Sequence, residues 1–358
     1  MNIELFRNSL SLIITFTLLF AFLIDLLIGD PKTRYHPVML IGKTISFFKR
    51  KLKTNKPRLD KFLGVFLLIC VIIIFLLPIL LLQVFIWDFF YEIFIKEWQI
   101  SSFTVILLYS FVMGFLLKWS FALKSLGQAT LAIGRSLADE NLDNARSQLS
   151  LIVRRDTQEI KESHIISAAV ECVAESSTDA VTSVIWFYLV GSFIGILIFV
   201  FIYDNIYFLL IGIPSAYIFR IINTADSIVG YKDEDNINIG WFSARMDDMS
   251  NYIPTRLTVL IMLITGKLLR KDVKNAVEIL KSQRNSLESI NAGWTMGAMA
   301  GLLGIQLEKI GKYKLGFQKH ELKIKDIRSS FRIVVLTTIM FSIILSVVVI
   351  LLINLLVL

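Results

Sequence analysis

Three histidines, two cysteines and six prolines are spread over 358 residues. Cys70, inside an apolar run, and Cys172, in an expected helix, offer neither a CxxC metal spacing nor a disulfide framework and read as small apolar fillers. So few histidines make zinc chemistry a poor explanation. No GxxxxGK[ST], GxGxxG, HExxH or GxSxG string occurs, so the P-loop, dinucleotide, zincin and α/β-hydrolase readings all lack their signature. Charge is scarce as well: 18% of residues are Asp, Glu, Lys or Arg, where a soluble domain carries about a quarter. Together with 55% apolar residues, this excludes an ordinary cytosolic enzyme and a disordered chain.

What the sequence has instead is long apolar runs. A bilayer core takes about 20 helical residues, and runs at 9–28, 62–86, 102–123 and 183–203 meet that length. A shorter run at 206–219 follows Asp204-Asn205 and reads as a hairpin return, and the uncharged run at 333–358 ends the sequence. Leu257 to Leu269 is about 13 residues long, a length that suits a re-entrant, interfacial or protein-buried segment better than a crossing. The first run lacks a small-residue cleavage site and reads as an anchor rather than a signal peptide. The expectation is an all-α, polytopic integral membrane protein, a single membrane domain over 1–358, with about six transmembrane helices plus the short segment.

Orientation follows from the basic residues, which number 37 against 29 acids for a formal charge of +8. With the amino terminus outside, six crossings place 35 of the 37 in the segments 29–61, 124–182, 220–256 and 270–332 and their flanks, which cytoplasmic loops favour. These helical cytoplasmic segments are therefore expected to form an active-site face on a multi-pass protein of the cell membrane, with the lipid bilayer as partner and no nucleic acid.

Clustered polar residues concentrate there. Gly29 to Val38 contains Asp30, Arg34 and His36 between two prolines, a turn able to meet an anion or to serve as a capped interfacial loop. A helix expected from Asp139 to Thr182 puts Glu171, Glu175 and Asp179 at i, i+4 and i+8 on one face, where three acids either solvate or hold a cation such as Mg²⁺. Arg154-Arg155-Asp156-Thr157 precedes it, and His164 reads as a surface histidine. The densest stretches are Asn223 to Lys232 and Gly240 to Arg256. There Asp226, Asp247 and Asp248 are oxygen ligands of the kind Mg²⁺ prefers, in company with Lys232, Arg245 and Arg256, which suit phosphate. A salt-bridge network explains the charges but not the interleaved Asn, Ser, Thr, Gly and Trp. Asn291 to Gly301 reads as a loop entering a small-residue helix, with Gly297 and Gly301 explained by close helix packing.

In this order, Gly-Asp-Pro…His-Pro-Val (29–38), Arg-Asp-Thr (155–157), Ile-Asn-Thr-x-Asp-Ser-x-Val-Gly-Tyr (222–231), Trp-x-Ser-Ala-Arg-x-Asp-Asp (241–248), Ile-Pro-x-Arg-Leu (253–257) and Asn-Ala-Gly-Trp (291–294) resemble the adenosylcobinamide-phosphate synthase family of cobalamin biosynthesis. The resemblance runs from about residue 23 to about 316. It implies an ATP-dependent ligase that joins (R)-1-aminopropan-2-ol or its O-phosphate to the free propionate carboxyl of adenosylcobyric acid, through an acyl phosphate, with ATP and Mg²⁺ as cofactors and a corrinoid as substrate. It also admits other late cobalamin-pathway enzymes as partners and a homo-oligomer.

On that resemblance, Asp226, Asp247 and Asp248 are assigned to the metal, with Glu171 and Glu175 as second candidates. Arg155, Lys232, Arg245 and Arg256 are assigned to phosphate, and Asn223, Asn251 and Asn291 to the substrate carboxyl or amide. Trp241 or Trp294 would stack on a ring, and His36 with Asp30 would handle protons. The chain departs from the family pattern at Arg154, Ser176, Ala180, Ile290 and Thr295, where a glycine, an amide, a glycine and two prolines are usual. Three alternatives stay open: a divergent corrinoid-binding scaffold, a transporter, and a Mg²⁺-dependent membrane phosphotransferase. A transporter predicts ionisable residues within several spans, whereas Asp25 and Lys118 lie near span ends.

Overall fold

The computed structural model describes residues 3–31, 36–54, 56–90, 92, 102–202 and 206–356. Arg34 of the 29–38 string lies outside them. The protein is an all-α polytopic membrane protein whose helices fall into two compact units. Among the described residues, Ser9–Leu27, Pro57–Phe90, Glu162–Phe201 and Ile324–Leu355 are long and apolar enough to cross a membrane. Phe103–Lys118 joins them only if counted with Leu123–Ala138.

The first unit comprises Met1–Ala122, Val184–Met249 and Ile344–Leu358. Helix α1 (Ile3–Leu27) stops at Gly29, whose φ of +74° is the left-handed conformation that glycine reaches without strain. Helix α2 (Pro37–Leu52) begins with proline at its first position, where the missing N–H costs no hydrogen bond, and ends on Lys49, Arg50 and Lys51, which suit the negative end of the helix dipole. Helix α3 (Pro57–Phe90) outruns the expected 62–86, and α4 (Ser102–Lys118) stops short of the expected 123.

Helices α1 and α4 pack closely because Gly114 leaves room: a Cβ there would lie 2.8 Å from Phe20 Cβ and 2.9 Å from the Thr17 carbonyl oxygen. Helix α8 (Ser183–Phe201) adds a hydrogen bond from Tyr188 to the Ile14 carbonyl at 3.1 Å. The return span expected at 206–219 is instead divided between a 3₁₀ turn, Ile206–Ile211, and the start of α9 (Gly212–Val229), which carries on through Arg220 and Asn223. Apolar length alone does not show that the polar residues extend the same helix. Ile41, Ile45, Leu67, Val71, Ile221, Ile222 and Val229 make the core where α2, α3 and α9 meet.

The second unit comprises Leu123–Ser183 and Ser250–Ile343. It holds α5 (Leu123–Ala138), α6 (Leu142–Ser150), α7 (Glu162–Ser177), α11 (Val273–Gln283) and α12 (Ala292–Leu303), with most of α10 (Trp241–Leu268) and the first part of α13 (Ile324–Leu356). The helix expected over 139–182 is broken at 151–161, where the exposed carboxylate of Asp156 accepts the Gln158 N–H at 2.9 Å in a local turn. The segment 257–269 is not separate: it is the apolar half of α10, whose polar half satisfies its backbone in the same helix despite Pro254. A two-stranded antiparallel hairpin, β1 (Leu307–Lys309) with β2 (Tyr313–Leu315), is the exception to an all-helical chain among the described residues.

Gly301 lets α12 lie on α11, since a Cβ would run into the Cα of Ala276; at Gly297 it would meet Ile279 and Leu280 at an ordinary 3.5 and 3.7 Å. Close packing therefore accounts for Gly301, as its spacing suggested, but does not require glycine at Gly297.

Asp272 starts α11. Its Oδ1 accepts the Asn275 N–H at 3.0 Å and its Oδ2 the Lys319 ammonium at 2.6 Å. Lys319 first, and the Asn275 amide after it, hold this carboxyl below the usual carboxylate range. A depressed folded pKa adds stability above the unfolded value that is lost as pH falls through the folded one. Asp272→Ala should cost about 1 kcal/mol near neutrality. In thermal melts of parent and variant, that gap should close at pH values below the carboxylate range.

Candidate functional site

The residues expected to carry function sit in both units. Asp30, His36, Asn223, Asp226, Lys232, Trp241, Arg245, Asp247 and Asp248 belong to the first. Arg155, Glu171, Glu175, Asn251, Arg256, Asn291 and Trp294 belong to the second.

In the first unit, Asp30 and His36 are brought together, with His36 Nε2 3.3 Å from Asp30 Oδ1. His36 is also the N-cap of α2: its Nδ1 accepts the Val38 N–H at 3.2 Å. A neutral ring that accepts at Nδ1 carries its proton on Nε2, which places the N–H beside the carboxylate. With Nδ1 occupied and Nε2 protonated, the acceptor capacity of the pair rests on Asp30. Asp30 also binds the ammonium of Lys118, which is fully buried at the end of α4. Lys118 lies 3.8 Å from the buried Asp25 of α1, and its ammonium is 4.6 Å from the centre of the Trp119 ring. In the sequence Lys118 and Asp25 read only as span-end charges. The signal that marks them is an acid and a base inside two apolar runs, each needing a partner in a medium without water.

The second cluster of this unit is built by α9 and the first turns of α10. Asn223 donates from Nδ2 to Asp247 Oδ1 at 3.1 Å and accepts from Arg220 at 3.4 Å, so a buried amide orients a buried carboxylate. Asp248 is half-buried beside Arg245 and Lys232. Burial pushes its carboxyl above the usual range, and the two cations oppose that rise. Lys61 lies 5.7 Å from the centre of the exposed Trp241 ring. Gly230 and Gly240 keep the connection tight: a Cβ on the first would strike the Asp226 carboxylate, and on the second the Val229 carbonyl.

In the second unit the acid stripe does not survive as a solvated face. Glu171 is buried and its carboxylate is filled by Arg155, by Ser167 Oγ at 2.6 Å and by Tyr313 OH at 2.9 Å. Burial and the neighbouring Glu171 charge both push the Tyr313 hydroxyl upward. Glu175 is exposed one turn on, while Asp179 falls in a π turn, Thr178–Thr182, whose wider winding takes it off the i+4 row.

Asn251 is buried and accepts from Ser183 Oγ at 2.6 Å, placing it in the core rather than at a surface. Arg256 donates to Asn291 Oδ1, to the Tyr252 carbonyl at 2.9 Å and to the Ile290 carbonyl at 3.2 Å, tying α10 to the segment before α12. Trp294, expected to stack on a ligand ring, is engaged by Arg256 and Arg284 at 5.0 and 4.9 Å from its centre.

Among the described residues no three His, Cys, Asp or Glu side chains gather as a metal shell.

The family model for the CobD/Cbib protein matches residues 18–337. A probable cobalamin biosynthesis protein CobD of Methanothermobacter thermautotrophicus is 34% identical over 325 residues, covering 91% of this chain and 94% of the relative. The cobalamin biosynthesis protein CobD of Halalkalibacterium halodurans is 33% identical over 322 residues, covering 87% and 89%. That of Dehalococcoides mccartyi is 31% identical over 298 residues, covering 83% and 85%. No solved structure matches.

Proposed function

The chain belongs to the CobD/Cbib protein family, and on that premise we propose that it is an enzyme of cobalamin biosynthesis, an amide-forming ligase of the cell membrane. Its substrates would be adenosylcobyric acid and (R)-1-aminopropan-2-ol or its O-phosphate. A carboxylate does not condense with an amine unaided, because its oxygen is a poor leaving group. ATP would supply a phosphoryl group to that oxygen, giving an acyl phosphate; the amine then displaces phosphate and gives up a proton.

The observation that carries this reading is the Asp248 cluster, a half-buried carboxylate between Arg245 and Lys232, with Asp247 oriented by Asn223 alongside on α10. Carboxylates partly withdrawn from water beside exposed cations are a donor set that suits a metal–phosphate site. Asp248, with Asp247 and Asp226, would hold Mg²⁺, whose charge would screen the phosphate oxygens and make phosphorus easier to attack. Lys232 and Arg245 would neutralise the oxygens that gain charge in the transition state. Asp30, held in place by Lys118 and the His36 ring, is the acceptor suited to the ammonium proton. Arg256 and Asn291 act on each other and would position the α12 entrance rather than touch phosphate.

Purified protein incubated with adenosylcobyric acid, ATP, Mg²⁺ and each amine in turn should yield the amide mass of one of them by mass spectrometry. No amide with either amine sinks the ligase reading. Product with the phosphorylated amine alone, or with the other alone, decides which is the substrate. The basic residues at 29–61 and 270–332 support a cytoplasmic active face.

A further inference from the structure

We propose that the second unit contains an anion pocket under the β1–β2 turn that takes a compact phosphate monoester. A cavity of about 280 Å³ is lined by Arg155, Asp156, Ile160, His164, Lys309, Ile310 and Lys312. Lys309 and Lys312 are the first and fourth residues of the hairpin turn, closed by the Lys312 N–H on the Lys309 carbonyl at 2.9 Å, with Gly311 at φ +71°. A four-residue turn brings its two ends together, so two ammonium groups far from Arg155 in sequence reach the same hollow.

Basic side chains outnumber acidic ones in the lining, Arg155, Lys309 and Lys312 against Asp156. Glu171 holds Arg155 and is itself filled by Ser167 and Tyr313; Glu308, 3.8 Å from the lining residue His164, is also bound by Lys314 at 3.2 Å. Asp156, the acid of the lining, spends Oδ1 on the Gln158 N–H. Among the described residues Lys309 and Lys312 meet no carboxylate at ion-pair distance. With Arg155 already answered by Glu171, the two ammonium groups share one concavity and repel one another unless an anion sits between them. An arginine fixed by its own carboxylate, together with two ammonium groups that meet no carboxylate, is a donor set suited to phosphate. Ile160 and Ile310 add an apolar wall for a short carbon chain. The hollow lies at the small end of the roughly 300–1,000 Å³ that drug-sized ligands occupy, which suits a compact anion and is far below what a corrinoid needs.

The proposal stands apart from the ligation reading, because binding is read without ATP, Mg²⁺ or corrinoid. Calorimetric titration of the full chain in detergent at low salt should show saturable binding of inorganic phosphate and O-phosphoethanolamine, and none of ethanolamine. Lys309→Gln with Lys312→Gln should weaken both by about tenfold or more, as expected when two charge-assisted contacts are lost. Lys314→Gln, outside the lining, should stay within about twofold. Lys312→Glu, at an exposed turn position where misfolding is not expected, should abolish binding and keeps the test decisive if the double variant fails to fold. No saturable phosphate binding by the parent, unaltered binding in Lys312→Glu, or displacement of O-phosphoethanolamine by ATP at equal concentration would overturn the proposal.

Discussion

Lys118→Met is expected to destabilise the protein by about 3–5 kcal/mol, the usual cost of removing one partner from a buried ion pair. Lys118 is fully buried, and its ammonium serves both Asp30 and Asp25, the latter 3.8 Å away and 2% exposed. Methionine fills most of the same volume, so lost packing is a minor part of the effect; the expense is two carboxylates left in a water-poor place. Urea or thermal unfolding in detergent should show the loss, and adding Asp25→Asn and Asp30→Asn should recover most of it by removing the stranded charges. If the single variant unfolds like the parent, the network is not the brace described. The cluster also joins stability to chemistry, because Asp30 in turn fixes His36 at the start of α2.

Asp248→Asn should act in the opposite sense on stability and far more strongly on activity. Burial raises the Asp248 carboxyl above its unfolded value, so the folded state holds the proton longer than the unfolded chain does. The contribution of this group is therefore present at low pH and is lost as pH rises through the folded value. Asparagine imitates the protonated form at every pH, so the variant should equal or exceed the parent in stability near neutrality. Amide formation should fall by about 10²–10³-fold, the scale on which removing one electrostatic stabiliser slows an acyl or phosphoryl transfer. Comparing amide yield with thermal midpoint in the same preparation separates the two effects. A variant that stays fully active removes Asp248 from the proposed metal–phosphate site.

Apolar length is local information, so α1, α3, α8 and the distal part of α13 are written directly in runs of about 20 residues. Chain neighbours also reveal local chemistry: His36 before Pro37 at a helix start, Asp30 close by, Asp247-Asp248 beside Arg245, and the small residues of α12. Other features stay hidden in the sequence because hydropathy averages over a window. The polar half of α10 masks a helix of 28 residues, and the polar end of α9 masks the continuation of 206–219.

By itself, then, the sequence determined the membrane class, most of the long helices and the string of motifs that places this chain in its family. Each depends on residues adjacent in the chain or on helical period. Only the tertiary structure decided which charges answer which. It gave Glu171 to Arg155 and Tyr313, turned Arg256 and Trp294 toward each other, and gathered Asp25, Lys118, Asp30 and His36 into one network. It also brought Lys309 and Lys312 to Arg155. The physical reason is that a buried charge must find its counter-charge in space, and the fold alone sets which partners lie within a few ångströms.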